Sequence, residues 1–225
     1  RMLNHNKIEA SLEVYYKTIT NMVDYKGGTN LVMNRYNERD LIDVEGKAYG
    51  LELMLRKEEG RFRWSAGYTY SRILVRSTSS LREEKINSGN WFPANYDKPH
   101  DLVLTLNYLY SRRMSLSASY NFSSGRPVTY PVAVYKIGDI VMTHFSERNK
   151  YRLPYYSRFD LSMKVSGNLK SKKIAHPNWI FSIYNLLGRQ NIYSVYFKYD
   201  RNIVKGYMLS VFGRPIPSLT FNFDF

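Results

Sequence analysis

The sequence predicts an all-β fold, an antiparallel up-and-down transmembrane β-barrel with about eight strands present in this chain. Three observations support this fold class. Apolar and polar residues alternate with a period of two over long segments, aromatic residues make up 16% of the 225 residues, with 21 tyrosines, and the predicted connections differ sharply in length. Because successive side chains of a strand point to opposite faces, the alternation gives each strand one apolar and one polar row.

Eight segments carry the alternation and are predicted strands: 8–16, 49–56, 62–70, 102–110, 114–122, 159–165, 179–199 and 207–225. In the last of them Leu219, Phe221 and Phe223 fall on one face, and Thr220 and Asn222 fall on the other. The constant parity through this segment predicts one long strand. Tyrosine is favoured where a strand passes from an apolar to an aqueous layer, and the tyrosines near the strand ends predict interfacial girdles.

The connections fall into two classes of length. Segments 18–43, 77–99 and 124–156 are predicted long loops, 58–60 and 111–113 are tight turns, 168–177 is of medium length, and 200–206 is short. Alternate connections of an up-and-down sheet lie at opposite ends, so one end carries nearly all the long loops. Outer-membrane barrels sort their loops in this way. A soluble β-domain stays an alternative, because alternation alone does not distinguish a protein core from lipid.

Composition excludes several function classes. A mean hydropathy of −0.45 and the lack of an apolar run of about 20 residues exclude a helical membrane protein. The chain has no cysteine, and its four histidines show no ligand spacing, so no metal or cofactor is predicted. No nucleophile motif or phosphate-binding glycine loop occurs, so the prediction is that the chain is not an enzyme. The net charge of +14 suits a nucleic-acid binder, but the positive charge lies at both strand ends rather than on one face, which argues against nucleic acid.

Two sets of residues are candidates for binding. Arg158, Asp160 and Lys164 share the polar face of one strand, where in a barrel they would face the lumen and pair with one another or with other groups there. The long loop 124–156 combines basic and aromatic side chains, which suit an anionic or sugar-like ligand and equally suit the phosphates of lipopolysaccharide. We favour the lipid alternative. The candidate residues of this loop are Arg126, Tyr130, Tyr135, Lys136, Arg148, Lys150 and Arg152.

Several stretches together resemble a known family. The segments GKAYGLE (46–52) and WSAGYTYSR (64–72) look like paired barrel strands, YDKPHDL (96–102) enters a strand, and YRLPYYSRFDL (151–161), IYNLL (183–187) and the terminal Phe225 follow in order. In this order they resemble the C-terminal part of a TonB-dependent outer-membrane receptor, particularly of the Bacteroidetes type, along nearly the full chain.

The resemblance implies that residues 1–225 are the C-terminal part of a barrel domain, the last eight of 22 strands, with Phe225 as the signal for barrel assembly. The plug domain and the TonB-contacting segment would lie outside this chain. The implied location is the outer membrane of a Gram-negative cell. Arg158, Asp160 and Lys164 would then face the plug or the substrate.

The implied function is import of a scarce nutrient, which in this family is a ferric siderophore, cobalamin, a glycan or a peptide. The expected partners are membrane lipid and lipopolysaccharide, the rest of the receptor including its plug, TonB, and in some cases a surface lipoprotein. Two alternatives are a self-contained eight-stranded outer-membrane barrel with a structural or adhesive role, and a soluble basic β-domain that binds nucleic acid.

Overall fold

The computed structural model describes residues 7–27, 36–138, 140–167, 176–200 and 203–224. Its strands are β1 (Glu9–Tyr25), β2 (Leu41–Lys57), β3 (Phe62–Ser77), β4 (Phe92–Pro93), β5 (His100–Leu109), β6 (Met114–Ser123), β7 (Pro127–Val128), β8 (Pro131–Ile137), β9 (Ile140–Phe145), β10 (Tyr151–Arg152), β11 (Tyr156–Ser166), β12 (His176–Tyr184), β13 (Ile192–Asp200), β14 (Ile203–Ser210) and β15 (Ile216–Asp224). Short 3-10 helices span Asn37–Asp40, Arg82–Glu84 and Ile86–Gly89. No helix in these ranges has the length and apolar character needed to cross a membrane. Phe225 and the segment 168–175 lie outside the described residues.

One antiparallel sheet dominates the structure. Its order is β1-β2-β3-β5-β6-β11-β12-β15, with the two-residue strand β4 paired to β3 beyond the start of β5. Each strand on this path therefore pairs with the strand of the same path that follows it along the chain, as an up-and-down topology requires. The all-β antiparallel prediction is confirmed. A closed barrel is not formed by the described residues, because β1 and β15 are the two edges of an open sheet.

The apolar rows of the strands join into one continuous face. Leu106 lies opposite Ala118, Ala118 opposite Leu161, and Leu161 opposite Ile183, so the row crosses four strands without a break. Leu161 is 38% exposed, and Leu104 and Leu116 on the same face are also only partly buried. In the part of the chain that the structure describes, no second layer of protein covers these leucines.

Aromatic residues flank this apolar face at both ends. We call the end that carries the long connections the outer end and the opposite one the turn end. At the outer end Tyr16 stacks on Tyr49 with ring centroids 6.3 Å apart. At the turn end Trp179 packs on Phe221 at 4.5 Å. Further aromatic residues of the same face are Tyr68, Tyr70, Tyr120 and Phe122 toward the outer end, and Phe62, Trp64, Tyr108 and Phe223 toward the turn end.

A small apolar core covers the opposite face near the outer end. Ile42 and Val44 of β2 and Val75 of β3 are buried there against Ile86 and Phe92, which belong to the connection between β3 and β5. These strand residues have the parity of the polar row. These residues of the connection therefore fold back over the polar face of the sheet and not over its apolar face.

Several predicted boundaries are wrong. Strand β1 runs on to Tyr25 and β2 begins at Leu41, so the loop predicted at 18–43 is shorter. Segment 179–199 is two strands, because Asn185 and Gly188 take positive φ angles of 53° and 62° after β12. Segment 207–225 is also two strands.

The division of segment 207–225 into two strands also has a local cause. Phe212 has a φ of 54°, and Pro215 just before β15 has no N–H to donate to a ladder. Strands β13 and β14 instead form a separate hairpin, which belongs to a long connection between β12 and β15. The loop predicted as short at 200–206 falls within that hairpin, because β13 runs to Asp200 and β14 begins at Ile203, with 201–202 outside the described residues. The connections after β1, β3, β6 and β12 all leave the sheet at the outer end.

Candidate ligand-capture site

The long connections at the outer end are tied to one another, and a buried carboxylate makes the strongest tie. Asp97, in the connection after β3, is 0% exposed. It forms an ion pair with Arg152 of β10, whose guanidinium also donates to the carbonyls of Asp97 (2.8 Å) and Gly125 (3.0 Å). The backbone N–H of Ile73 donates to Asp97 Oδ1 at 2.7 Å, and Arg72 Nε lies 3.5 Å from the same oxygen. Asp97 thus holds the connections after β3 and β6 against the sheet.

Arg148 makes a second tie, between three separate parts of the chain. Its Nη1 donates to the carbonyl of Tyr25 (2.7 Å) and its Nη2 lies 3.3 Å from Oδ1 of Asp24, both at the end of β1. Its backbone N–H donates to Asn87 Oδ1 (2.8 Å), and Asn87 Nδ2 donates back to the Arg148 carbonyl (3.0 Å). The connection after β6 is therefore bound to both β1 and the connection after β3.

Asn149 makes the third tie. It is buried and has a φ of 59°, a conformation that asparagine tolerates better than most residues. Its Nδ2 donates to the carbonyl of Pro93 (2.7 Å) and to Oδ1 of Asn95 (2.9 Å), while its backbone N–H donates to Thr129 Oγ1 (3.0 Å).

Between these ties lies a cavity of about 860 Å³, within the range of small-molecule sites. Its wall contains three acidic and three basic side chains. Two pairs of them are bound across the wall, Asp24 with Arg148 and Lys26 with Glu84. The lining residues are Asp24, Tyr25, Lys26, Gly27, Glu83, Glu84, Lys85, Ile86, Asn87, Asn95, Thr129, Phe145, Ser146 and Arg148. The cavity suits a polar ligand.

One carboxylate of the cavity wall, that of Glu84, has a shifted pKa. Ser79 Oγ donates to Glu84 Oε2 at 2.6 Å, and Lys26 Nζ lies 3.5 Å from Glu84 Oε1. The hydrogen bond from Ser79, helped by Lys26, lowers the pKa of Glu84 below its ordinary value. Glu84 is therefore ionised when the cavity is formed at neutral pH.

The polar face of β11 carries a network that reaches the outer end. Arg158 Nε lies 2.9 Å from Asp160 Oδ2. Arg158 Nη1 donates hydrogen bonds to the hydroxyls of Tyr156 (3.0 Å) and Tyr184 (2.9 Å). Asp160 Oδ1 in turn accepts from the backbone N–H of Asn185 at 2.8 Å. These contacts fix the start of the connection between β12 and β15.

Asn185 is 1% exposed and closes that turn. Its Nδ2 donates to the carbonyls of Arg189 (3.0 Å) and Phe212 (2.9 Å). A smaller cavity of about 300 Å³ lies beside it, with Tyr156, Tyr184, Asn191, Tyr193, Val211 and Phe212 in its wall.

The comparison with known protein families decides the identity of the fold. The profile described as "TonB dependent receptor-like, beta-barrel" matches residues 1–186. The chain belongs to this family. TonB-dependent receptors are transporters of the outer membrane and act with TonB, a plug and a substrate. No curated protein matches this chain.

The TonB-dependent receptor fold brings some of the predicted site residues together. Arg158 and Asp160 are paired, whereas Lys164 lies four residues further toward the turn end and is exposed. All three lie on the polar face, opposite Asn121, Ser119 and Ser115 of β6 in that order.

The predicted residues of loop 124–156 are divided between two roles. Arg148 and Arg152 bind other parts of the receptor. Tyr130 stacks on Tyr151 (5.1 Å) and meets Phe197 of β13 edge-on (5.4 Å). The remaining members lie at the surface: Arg126, Tyr135, Lys136 and Lys150. Lys150 pairs there with Glu147 at 3.3 Å. Contact of these residues with a ligand or with lipopolysaccharide stays a prediction.

Sequence reasoning missed Asp97, Asn149 and Asn185 as residues that organise the receptor's outer end. A signal for one of the contacts was present, because Asp97 and Arg152 both lie in stretches that carry the family resemblance, 96–102 and 151–161. Nothing in the sequence showed that the two stretches meet.

Proposed function

We propose that this chain forms part of the barrel wall and the outer loops of an outer-membrane importer that takes up a scarce nutrient with energy delivered through TonB. One observation carries the proposal. The sheet keeps an exposed apolar face between aromatic girdles, while the connections at its outer end fold over the other face and are bound together there. Such a face suits acyl chains, and the bound loops offer a fixed surface to a ligand arriving from outside.

In this proposal the sheet is the C-terminal part of a larger barrel, the last eight of 22 strands. Strands β1 and β15 are its open edges, and an unpaired strand edge is not stable in hydrocarbon because its N–H and C=O groups find no partner there. The remaining strands of the receptor would pair with both edges. The plug would then face the polar rows, including Arg158, Asp160 and Lys164.

The cavity of 860 Å³ is the proposed capture site. It lies among the loops of the outer end and on the side of the polar face, where a ligand would pass toward the lumen. Glu83 and Lys85 line it and are exposed, so both are available to a ligand. The nutrient is proposed to belong to the classes that the family transports, ferric siderophores, cobalamin, glycans or peptides.

A growth experiment tests import. The receptor gene is deleted in its host, and growth is measured with each nutrient class in turn as the limiting source. The expected result is a growth defect with one nutrient class. The intact receptor should restore growth, and removal of TonB should abolish it again. Normal growth of the deletion strain with every class, or recovery of the receptor in the soluble fraction, would contradict the proposal.

A variant pair then tests the capture site. Glu83→Gln and Lys85→Gln remove one charge each from the cavity wall, and the control Arg112→Gln removes one from the exposed turn between β5 and β6 at the opposite end of the sheet. Loss of one hydrogen bond to a charged group costs about 1.5–3 kcal/mol, which corresponds to roughly a ten- to 150-fold weaker affinity. The half-saturating nutrient concentration should rise by that factor in at least one cavity variant and stay unchanged in the control. An equal effect in all three variants would place capture elsewhere.

A further inference from the structure

Two cations hold one tryptophan on the outward face of the sheet. Lys47 Nζ lies 4.4 Å from the centre of the Trp91 ring, and Arg76 Cζ lies 4.7 Å from it. Lys47 has the same parity as Tyr49 in β2, and Arg76 has the same parity as Tyr70 in β3. The cations therefore lie on the apolar face, and not on the polar face that the loops cover.

The position of Lys47, Trp91 and Arg76 along the strands sets their depth relative to the membrane. In β2 the apolar row ends at Tyr49, and Lys47 is the next residue of that row. Two residues of a strand span about 7 Å, and a tilt near 45° makes this about 5 Å above the aromatic girdle. Tryptophan and long basic side chains are typical of that layer, where acyl chains meet headgroups.

The electrostatics of the group favour an anion. Two cations that share one ring repel each other, and the only carboxylate bound to either of them among the described residues is Glu45, which accepts from Arg76 Nε. With two positive charges and one negative, the group keeps a net positive charge. The Arg76 side chain is 45% exposed, so it is accessible to a ligand.

We propose that Lys47, Trp91 and Arg76 bind a phosphate group of lipid A, the phosphorylated and multiply acylated lipid of the outer leaflet. The proposal rests on the proposed outer-membrane function. The site is continuous with the apolar row of Leu51 and Leu53 below it, so one lipid would place its acyl chains on that row and its phosphate between the two cations. Trp91 holds both cations in place before the lipid arrives.

Binding of purified lipid A to the detergent-solubilised receptor tests this site by thermophoresis. The double variant K47Q/R76Q should bind about thirtyfold more weakly than the unchanged receptor, since each cation near an anionic lipid surface contributes about fivefold. The control K57Q removes a cation of the same face at the turn end and should change the affinity less than twofold. Equal losses in both variants, or none in the double variant, would overturn the site.

Two further ligands separate the sources of phosphate. Dephosphorylated lipid A should bind the unchanged receptor as weakly as intact lipid A binds the double variant, and equal binding of both lipids would overturn the phosphate contact. Inorganic phosphate should not displace lipid A at equal concentration, and displacement would show that the site takes a free anion.

A variant that exchanges the two residues but keeps both charges is the control for misfolding. K47R/R76K keeps both cations and should bind within about threefold of the unchanged receptor, and a thirtyfold loss here would overturn the charge argument. Outer-membrane fractionation of the same variants separates this site from the proposed function. A receptor that reaches the outer membrane but shows no contrast between variants disproves the lipid site alone.

Discussion

Asp97 is the residue on which the arrangement of the outer loops most depends. It is fully buried and accepts from Ile73 while pairing with Arg152. The Arg152 side chain is 30% exposed, so loss of its charged partner costs less than in a fully buried pair, on the order of 2 kcal/mol. In Asp97→Asn we expect local opening of segment 124–155 to become favoured by that amount, which limited proteolysis would detect as cleavage about thirtyfold faster.

Lys150→Gln is the matched control for that experiment. Lys150 lies two residues from Arg152 and pairs with Glu147 at 3.3 Å, but both side chains are exposed. Exposed pairs contribute about 0–1 kcal/mol, so cleavage should change less than about fivefold. Equal cleavage of the two variants would show that Asp97 does not hold the loop.

Glu84 predicts a pH dependence at the cavity wall. Its pKa is lowered by Ser79 and then Lys26, so its contribution to local stability is complete above the unfolded pKa and is lost as the pH falls through the folded pKa. Hydrogen exchange of segment 79–86, corrected for the intrinsic rate, should become faster as the pH falls below the unfolded pKa of Glu84 and through its lowered folded pKa. Glu84→Gln should lose this dependence, and an unchanged pH profile in the variant would assign it to another group.

At the scale of one strand, β11 allows a direct test of which face meets lipid. The chain has no cysteine, so single cysteines can be placed without a background. Leu161→Cys lies in the apolar row and Ser162→Cys lies beside it on the polar face. In outer membranes we expect Leu161→Cys to react with a lipid-soluble maleimide and Ser162→Cys to react with a water-soluble one.

The neighbouring pair Met163→Cys and Lys164→Cys should repeat that contrast, since the parity continues through β11. Reaction of both cysteines of a pair with the same reagent would contradict the assignment of the faces. Strong protection of Leu161→Cys from both reagents would indicate a protein layer over the apolar face.

Gly125 marks a point where two segments of the outer loops nearly touch. A Cβ atom at this position would lie 1.7 Å from the carbonyl oxygen of Leu153. The carbonyl of Gly125 itself accepts a hydrogen bond from Arg152. Gly125→Ala should therefore displace β7 from β10 and lower the thermal midpoint of the receptor. Gly67→Ala in β3 is the control, because a Cβ there meets no atom within 4 Å, and its midpoint should stay within about 1 °C or rise slightly.

The rows of the long strands could be derived from the sequence because each strand obeys a local rule. In β5 and β6 the predicted apolar residues lie opposite one another in the ladder, Leu102 with Phe122 and Leu104 with Tyr120. A period of two fixes the face of a side chain as soon as the strand is recognised, without knowledge of the neighbours.

The outer end could not be derived in the same way. The β13–β14 hairpin follows the same alternation as the strands of the sheet, so 179–199 and 207–225 each looked continuous. The ties of Asp97 to Arg152 and of Arg148 to Asp24 join residues 55 and 124 positions apart. Nothing local in the sequence encodes such pairs.

At the scale of the whole molecule, the proposed part of a large barrel and a self-contained eight-stranded barrel differ in whether β1 pairs with β15. If β1 paired with β15, cysteines in the two strands could form a disulfide, which requires Cα atoms about 4.4–6.8 Å apart. In the intact receptor we expect no disulfide between any of the pairs that combine Leu12→Cys or Val14→Cys with Leu219→Cys or Phe221→Cys. Each doubly substituted receptor is examined by non-reducing gel electrophoresis under mild oxidation.

The positive control is Leu161→Cys with Ile183→Cys, which lie opposite each other in neighbouring strands β11 and β12 and should form the disulfide in high yield. Efficient bridging of β1 to β15 would support the self-contained barrel instead of the importer.

The shared partners of the outer loops have a kinetic consequence. Arg148 is bound at once to the end of β1 and to the connection after β3, and Asp97 and Asn149 link that connection to the same segment. No one of these segments can move away without breaking hydrogen bonds to the others. The connections at the outer end should accordingly open together, as one cooperative event with a single rate. Entry of a ligand would then follow this concerted opening and not the independent motion of single loops.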